Sequence, residues 1–259
     1  MASVSVFFCY NKYMTEIIYI ALVVIVAGGV GTLTGFGNST IMVPVLLLFF
    51  PLAPTLLLTG IIHSFGDIWN ILLFRHGIRR RLALLFGIPG VLLAFVGARL
   101  VFSIPEEILS RALGIFLVAY VLFLFLSSRY SSGGWRMKQS AVIAVISGAV
   151  SGFAAGIFGI GGVIRGAFLS AFGLPKAVYI ATIGAVGLAI NSTRTVTYFY
   201  QGANLTSELY WGLLLFIPAS FAGAWLAKKI VNKIPEKQFR AVVAVFLLIF
   251  GLKLLFFPG

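Results

Sequence analysis

The residues able to do chemistry in this chain fall at matched places. GFGNSTIMVP (35–44) puts Asn38, Ser39 and Thr40 inside a long apolar run, and GIGGVIRGAF (159–168) repeats its glycine spacing 124 positions later and adds Arg165. The other ionisable groups within apolar segments are His63, Asp67, Arg111 and Arg194. At helical spacing Thr59, His63, Asp67 and Asn70 form one polar stripe, and Gly187, Asn191 and Arg194 form another. Ionisable residues inside a membrane are costly and functional by default. A helix that starts mid-membrane also presents free N–H groups and the positive end of its dipole, which attract anions.

These features compose a candidate anion site. Asn38, Ser39 and Thr40 would donate from one break. The backbone at Gly161, Gly162 and Val163 would approach closely at the other. Arg165 and Arg194 would supply charge, with Asn191 beside them. His63 and Asp67 are the candidate coupling pair, and Asp67 is expected close enough to Arg194 for a partial ion pair. With His63 neutral, two guanidiniums face one carboxylate, a balance that suits an anion better than a cation. No catalytic residue, metal ligand set or cofactor is expected. Each feature also has a plainer reading. The glycines could serve close helix packing, His63 could be a hydrogen-bonded packing residue, Arg165 could snorkel to an interface, and Asp67 with Arg194 could be purely structural.

The elements that must position these groups are membrane helices. The 259 residues are 61% hydrophobic and 10% charged, with mean hydropathy +1.10, more apolar surface than a soluble core of this length needs. Five apolar zones precede SSRYSSGGWRMK (127–138) and five follow it. The expected helices are 14–36, 38–50, 54–74, 82–102 and 106–126, then 139–158, 162–172, 176–200, 206–230 and 236–257. The second of each set is too short to cross a core of roughly 30 Å. The first apolar run, starting near Thr15, lacks a basic leader and a cleavage site, and is expected to stay as a helix.

The halves repeat. Gly35, Gly37, Pro51 and Gly60 match Gly159, Gly161, Pro175 and Gly184 at an offset of 124, and Ile104-Pro105-Glu106 matches Ile234-Pro235-Glu236 at 130. Equivalent loops carry opposite charge. RHGIRRR (75–81) is basic where YQGANLTSE (200–208) has no Lys or Arg; SIPEE (103–107) is acidic where KKIVNKIPEK (228–237) is rich in Lys. Positive charge marks the cytoplasmic side, so the two copies are expected to be inverted. The expected fold is an all-α polytopic membrane protein of two inverted repeats, 1–126 and 139–259, joined by a cytoplasmic linker 127–138. Both termini are expected outside.

The formal charge of +13 raises nucleic acid as a partner, but most of it sits in short loops between apolar segments, where topology explains it. The single cysteine, Cys9, excludes an intrachain disulfide and a CxxC site. Gly29-Val30-Gly31 with Gly35 is no dinucleotide fingerprint, because its flanks are apolar spans rather than a βαβ unit. Motifs of intramembrane hydrolases and a phosphate-binding GxxxxGKS/T loop are missing from the sequence.

At the two glycine motifs the chain resembles the sulfite exporter TauE/SafE family of membrane permeases. The resemblance covers nearly the whole length and rests on paired motifs of the form GxGGGxxxxP, on His76-Gly77 and on Gly97-Ala98-Arg99. The first motif keeps Pro44 but has Asn38 and Ser39 in place of glycines; the second has Val163 for the third Gly and Phe168 for the Pro. The resemblance implies export of sulfur-containing anions such as sulfite, sulfoacetate or related organosulfonates across the cell (plasma or inner) membrane. The partners it implies are that small anion and the lipid bilayer, with room for a homo-oligomer. A carrier of another small anion, or of a cation or metal, is the alternative.

Overall fold

The computed structural model describes residues 2–74, 77–130, 140–230 and 236–258, and for 2–13, 127–130, 236–240 and 242 the backbone alone. Arg75, His76, the linker beyond Tyr130, residues 231–235 of the basic 228–240 loop and the Cys9 and Lys12 side chains lie outside the described residues. The described residues form ten helices and no strand: α1 (Ala2–Thr34), α2 (Ser39–Leu46), α3 (Leu52–Leu73), α4 (Arg80–Leu100), α5 (Glu106–Tyr130), α6 (Ala141–Phe158), α7 (Gly162–Ala171), α8 (Lys176–Tyr200), α9 (Ser207–Ile230) and α10 (Glu236–Phe256).

Six of them are long and apolar enough to cross a membrane: Met14–Thr34 of α1, α3, α4, Glu106–Leu126 of α5, α6 and α9. α8 is longer than most of these but does not join them, because Asn191 to Thr195 and Thr197 crowd polar groups into its second half. It hides three of them, Asn191, Arg194 and Thr197, which are buried, while Ser192 is exposed. The perimeter is the reverse, with Leu214 71% and Leu84 61% exposed. Polar inside and apolar outside is the arrangement a bilayer imposes on a multi-pass protein.

The two breaks share a backbone geometry. Gly35 and Gly159 both take φ 74°, a left-handed conformation that only glycine adopts cheaply. Gly35 N–H bonds back to the Gly31 carbonyl, and Gly159 N–H to that of Ala155. At the first break the Thr34 hydroxyl also donates to Val30 and accepts Phe36 N–H, sealing the helix end. α2 is shorter than expected. It closes at Leu46 and continues as single turns to Phe50, where Pro51 stops any helical continuation. Its eight residues reach about 12 Å and the ten of α7 about 15 Å, well short of a bilayer core. α5 runs on to Tyr130, past the expected boundary at 126.

Packing pairs the helices as α1 with α9, α4 with α6, α3 with α8 and α5 with α10. Exchanging each helix of the first five for its counterpart in the second five maps this set onto itself. α3 and α8 run antiparallel: Gly60 lies against Thr195, while Gly184 lies against Asp67, Asn70 and Ile71. α4 and α6 touch backbone to backbone, Gly148 on Phe86, Gly152 on Gly90 and Gly156 on Ala94. Small residues allow that approach, and dispersion between close backbones holds helices together where lipid removes the hydrophobic drive.

Candidate functional site

α3 and α8 bring their polar stripes face to face beside the two breaks. Asp67 and Asn191, 124 positions apart, meet directly, Asn191 Nδ2 donating to Asp67 Oδ2 at 2.7 Å. Arg194 Nε donates to Asn191 Oδ1 at 2.8 Å, and its Nη2 donates to Ser39 Oγ at 3.0 Å. Ser39 Oγ lies 2.6 Å from His63 Nδ1, and His63 Nε2 lies 3.9 Å from Asp67 Oδ1. The five side chains thus close a circuit, every member buried. A Ser39 hydroxyl that accepts from Arg194 can donate its own proton to His63 Nδ1, and in that tautomer the ring proton sits on Nε2.

The expected ion pair between Asp67 and Arg194 is replaced by a bridge through Asn191. The equivalent positions of the two stripes face each other, so Asn191 occupies the place in front of the carboxylate. Among the described residues, Asp67 has only His63 within ion-pair distance.

Arg165 does not snorkel. It is 1% exposed, and its Nε and Nη1 have no hydrogen-bond partner. Arg194 Nη1, His63 Nε2 and Asn38 Nδ2 are likewise buried without one. Arg194 Nη1 points at the second break, 3.2 Å from where a Cβ on Gly159 would stand. The His63 ring rests on Gly37, where any side chain would strike it. Asn38 sits in a slot between Gly31 and Gly66, and neither it nor Gly161 caps its helix with a side chain.

The tips of α2 and α7 meet. A side chain on Gly162 would collide with the Phe36 carbonyl, and one on Gly166 would crowd Phe36 and the Gly35 carbonyl. Val163 is fully buried in the first turn of α7. The Thr40 hydroxyl, expected as a free donor, is committed to the Phe36 carbonyl at 2.9 Å. Ser151 donates to the Gly161 carbonyl at 2.9 Å and so braces the second break. Asn70 and Thr59 leave the circuit: Asn70 accepts from Thr32, and Thr59 donates to Leu56.

Two tyrosines of α8 escaped the reading of the sequence. Tyr179 donates to the carbonyls of Thr34 and Gly166, at 2.9 and 3.3 Å, tying the end of α1 to α7. Tyr198 donates to the Gly156 carbonyl at the end of α6, with its ring centre 5.9 Å from the Arg194 guanidinium carbon. Each is one aromatic residue among many in an apolar helix, and no spacing marks it out.

A lipid-facing helical shell around two broken helices, with buried charge at their tips, defines a multi-pass membrane transporter. The sequence profile described as sulfite exporter TauE/SafE matches residues 20–254, and the chain belongs to that family. It is also similar to the probable membrane transporter protein MJ0441 of Methanocaldococcus jannaschii, 25% identical over 254 residues that cover 89% of this chain and 92% of that protein. The chain is a membrane transporter and not an enzyme.

Proposed function

We propose that the transporter carries a small sulfur-containing oxyanion, such as sulfite, sulfoacetate or a related organosulfonate, out of the cell. One observation carries this reading. Buried, unpartnered donors on Asn38, His63, Arg165 and Arg194 gather around the breaks, and the circuit holds a single carboxylate. Unmet donors buried in low dielectric are expensive, and an anionic oxygen is the ligand that relieves them. Asn38 and Ser39, with the amides at 161–163, would hold the oxygens; Arg165 and Arg194 would supply the charge, with Asn191 fixing the Arg194 fork. Thr40 would hold the first break in shape. The sulfur itself comes from the family and not from the geometry. Two guanidiniums argue against a cation or metal as cargo.

The antiparallel register of α3 on α8 supports inverted repeats. A twofold that exchanges two antiparallel spanning helices lies in the membrane plane. Alternating access then comes from one repeat moving against the other, and His63 with Asp67 couples the movement to protons. The decisive experiment is radiolabelled sulfite and sulfoacetate flux in proteoliposomes, with and without a pH gradient. Arg165→Ala is expected to lower flux on the order of tenfold to hundredfold, and Asp67→Asn to remove its pH dependence. Unchanged anion flux in Arg165→Ala would remove the site from consideration; an unchanged pH profile in Asp67→Asn would remove the coupling role.

A further inference from the structure

Away from the breaks, a cleft of about 570 Å³ opens between the C-terminal ends of α4 and α8, opposite the basic 75–81 loop. Its walls include Phe95, Val196 and Tyr200, which are 42%, 54% and 82% exposed. Its polar side includes Thr193 and Thr197, whose hydroxyls are spent on the Ala189 and Thr193 carbonyls. The one charge is Arg99, in the last turn of α4. Its guanidinium carbon lies 4.6 Å over the Phe95 ring, and among the described residues it has no carboxylate partner.

The other half supplies a comparison. Thr193 stands 124 positions after Trp69, which packs between α3 and α9. There Trp69 Nε1 donates to Ser220 Oγ at 3.0 Å, and its ring packs edge-on to Phe221, 5.2 Å between centres. Phe95 and Arg99 have counterparts 130 positions later in Trp225 and Lys229, a second cation–ring pair at 3.4 Å. The frame is therefore the same in both halves. The position that carries an indole in one half carries a threonine, beside the cleft, in the other.

We infer that this open cleft is a binding site for one anionic phospholipid. The acyl chain lies in the cleft against Phe95 and Val196, and the headgroup phosphate sits on Arg99. The chemistry fits each part. A lone guanidinium at the bilayer edge recognises phosphate in a fork geometry. Tyr200 is the last residue of α8, and an amphipathic ring at a helix end suits the headgroup region. The Thr193 and Thr197 hydroxyls are satisfied internally, so an apolar chain beside them strands neither, while the exposed Ser192 and Gln201 offer polar groups to the headgroup.

The test uses the full-length protein purified in mild detergent with phosphatidylglycerol or phosphatidylcholine, counting retained lipid by native mass spectrometry. It reads no flux, so its result is separate from that of the anion-transport reading. Wild type is expected to retain one phosphatidylglycerol in preference to phosphatidylcholine. Arg99→Gln, an exposed change that keeps the fold, should weaken that preference about fivefold. Thr193→Trp, which puts a bulky ring at the cleft wall, should abolish retention of both lipids. Equal retention by wild type and Arg99→Gln would overturn the site. So would loss of phosphatidylglycerol on adding millimolar inorganic phosphate at matched ionic strength, which would mark a free-anion site instead.

Discussion

Ser39 is the hydroxyl on which the circuit turns, since it alone touches both His63 and Arg194. Replacing it by Ala strands two buried groups at once, and each orphaned polar group costs about 2 kcal/mol. Ser39→Ala is therefore expected to lower the thermal unfolding temperature of the purified protein by several degrees. Ser39→Thr, which restores the hydroxyl, should recover most of that loss. Equal melting of Ser39→Ala and wild type would mean that the contacts contribute nothing. The candidate residues were legible because ionisable and amide side chains stand out against apolar helices. Their pairing was not. The spacing of 124 positions made Asp67 and Asn191 equivalent without saying that equivalent residues would touch, and so Arg194 was expected where Asn191 stands.

Glycine does two different things at the level of the helices, and the difference can be measured. On α4 nothing lies within 4 Å of a Cβ built on Gly87, whereas on α6 a Cβ on Gly152 would collide with the Gly90 backbone. A mid-helix Gly→Ala change gains about 0.5–1 kcal/mol where space exists. Gly87→Ala is expected to raise the unfolding temperature slightly. Gly152→Ala must push two backbones apart and is expected to lower it sharply or abolish monodisperse protein. Equal behaviour of the two variants would contradict the packing of α4 on α6. The motif glycines divide in the same way: Gly35, Gly37 and Gly159 take left-handed φ, whereas a Cβ on Gly161 or Gly162 would collide with neighbouring backbone, as it would at Gly148, Gly152 and Gly156. Sequence showed both sets as glycine. Only the partner across each one separates the two roles.

For the molecule as a whole, the sides on which the loops lie decide whether the halves are inverted. In a Cys9→Ser background, single cysteines at Arg81, Glu107, Asn204 and Lys229 would each stand at an exposed position. An impermeant maleimide applied to intact cells is expected to label Glu107→Cys and Asn204→Cys and to spare Arg81→Cys and Lys229→Cys. Labelling at Lys229 together with Glu107 would place the halves parallel and remove the twofold on which the proposed transport movement depends.

The sequence by itself determined that this is a helical membrane protein, where its helices break, and which polar residues the apolar segments carry. Those features are local or periodic: hydropathy over a span, a glycine at a left-handed turn, a stripe at helical spacing. It also carried the family, through glycine motifs repeated at a fixed interval. The tertiary structure decided the rest. It set Asn191 in front of Asp67, buried Arg165, and packed Trp69 between α3 and α9. Each of these depends on which helix faces which across distances of a hundred residues or more, and that is fixed by the packing of whole helices on one another rather than by any stretch of chain.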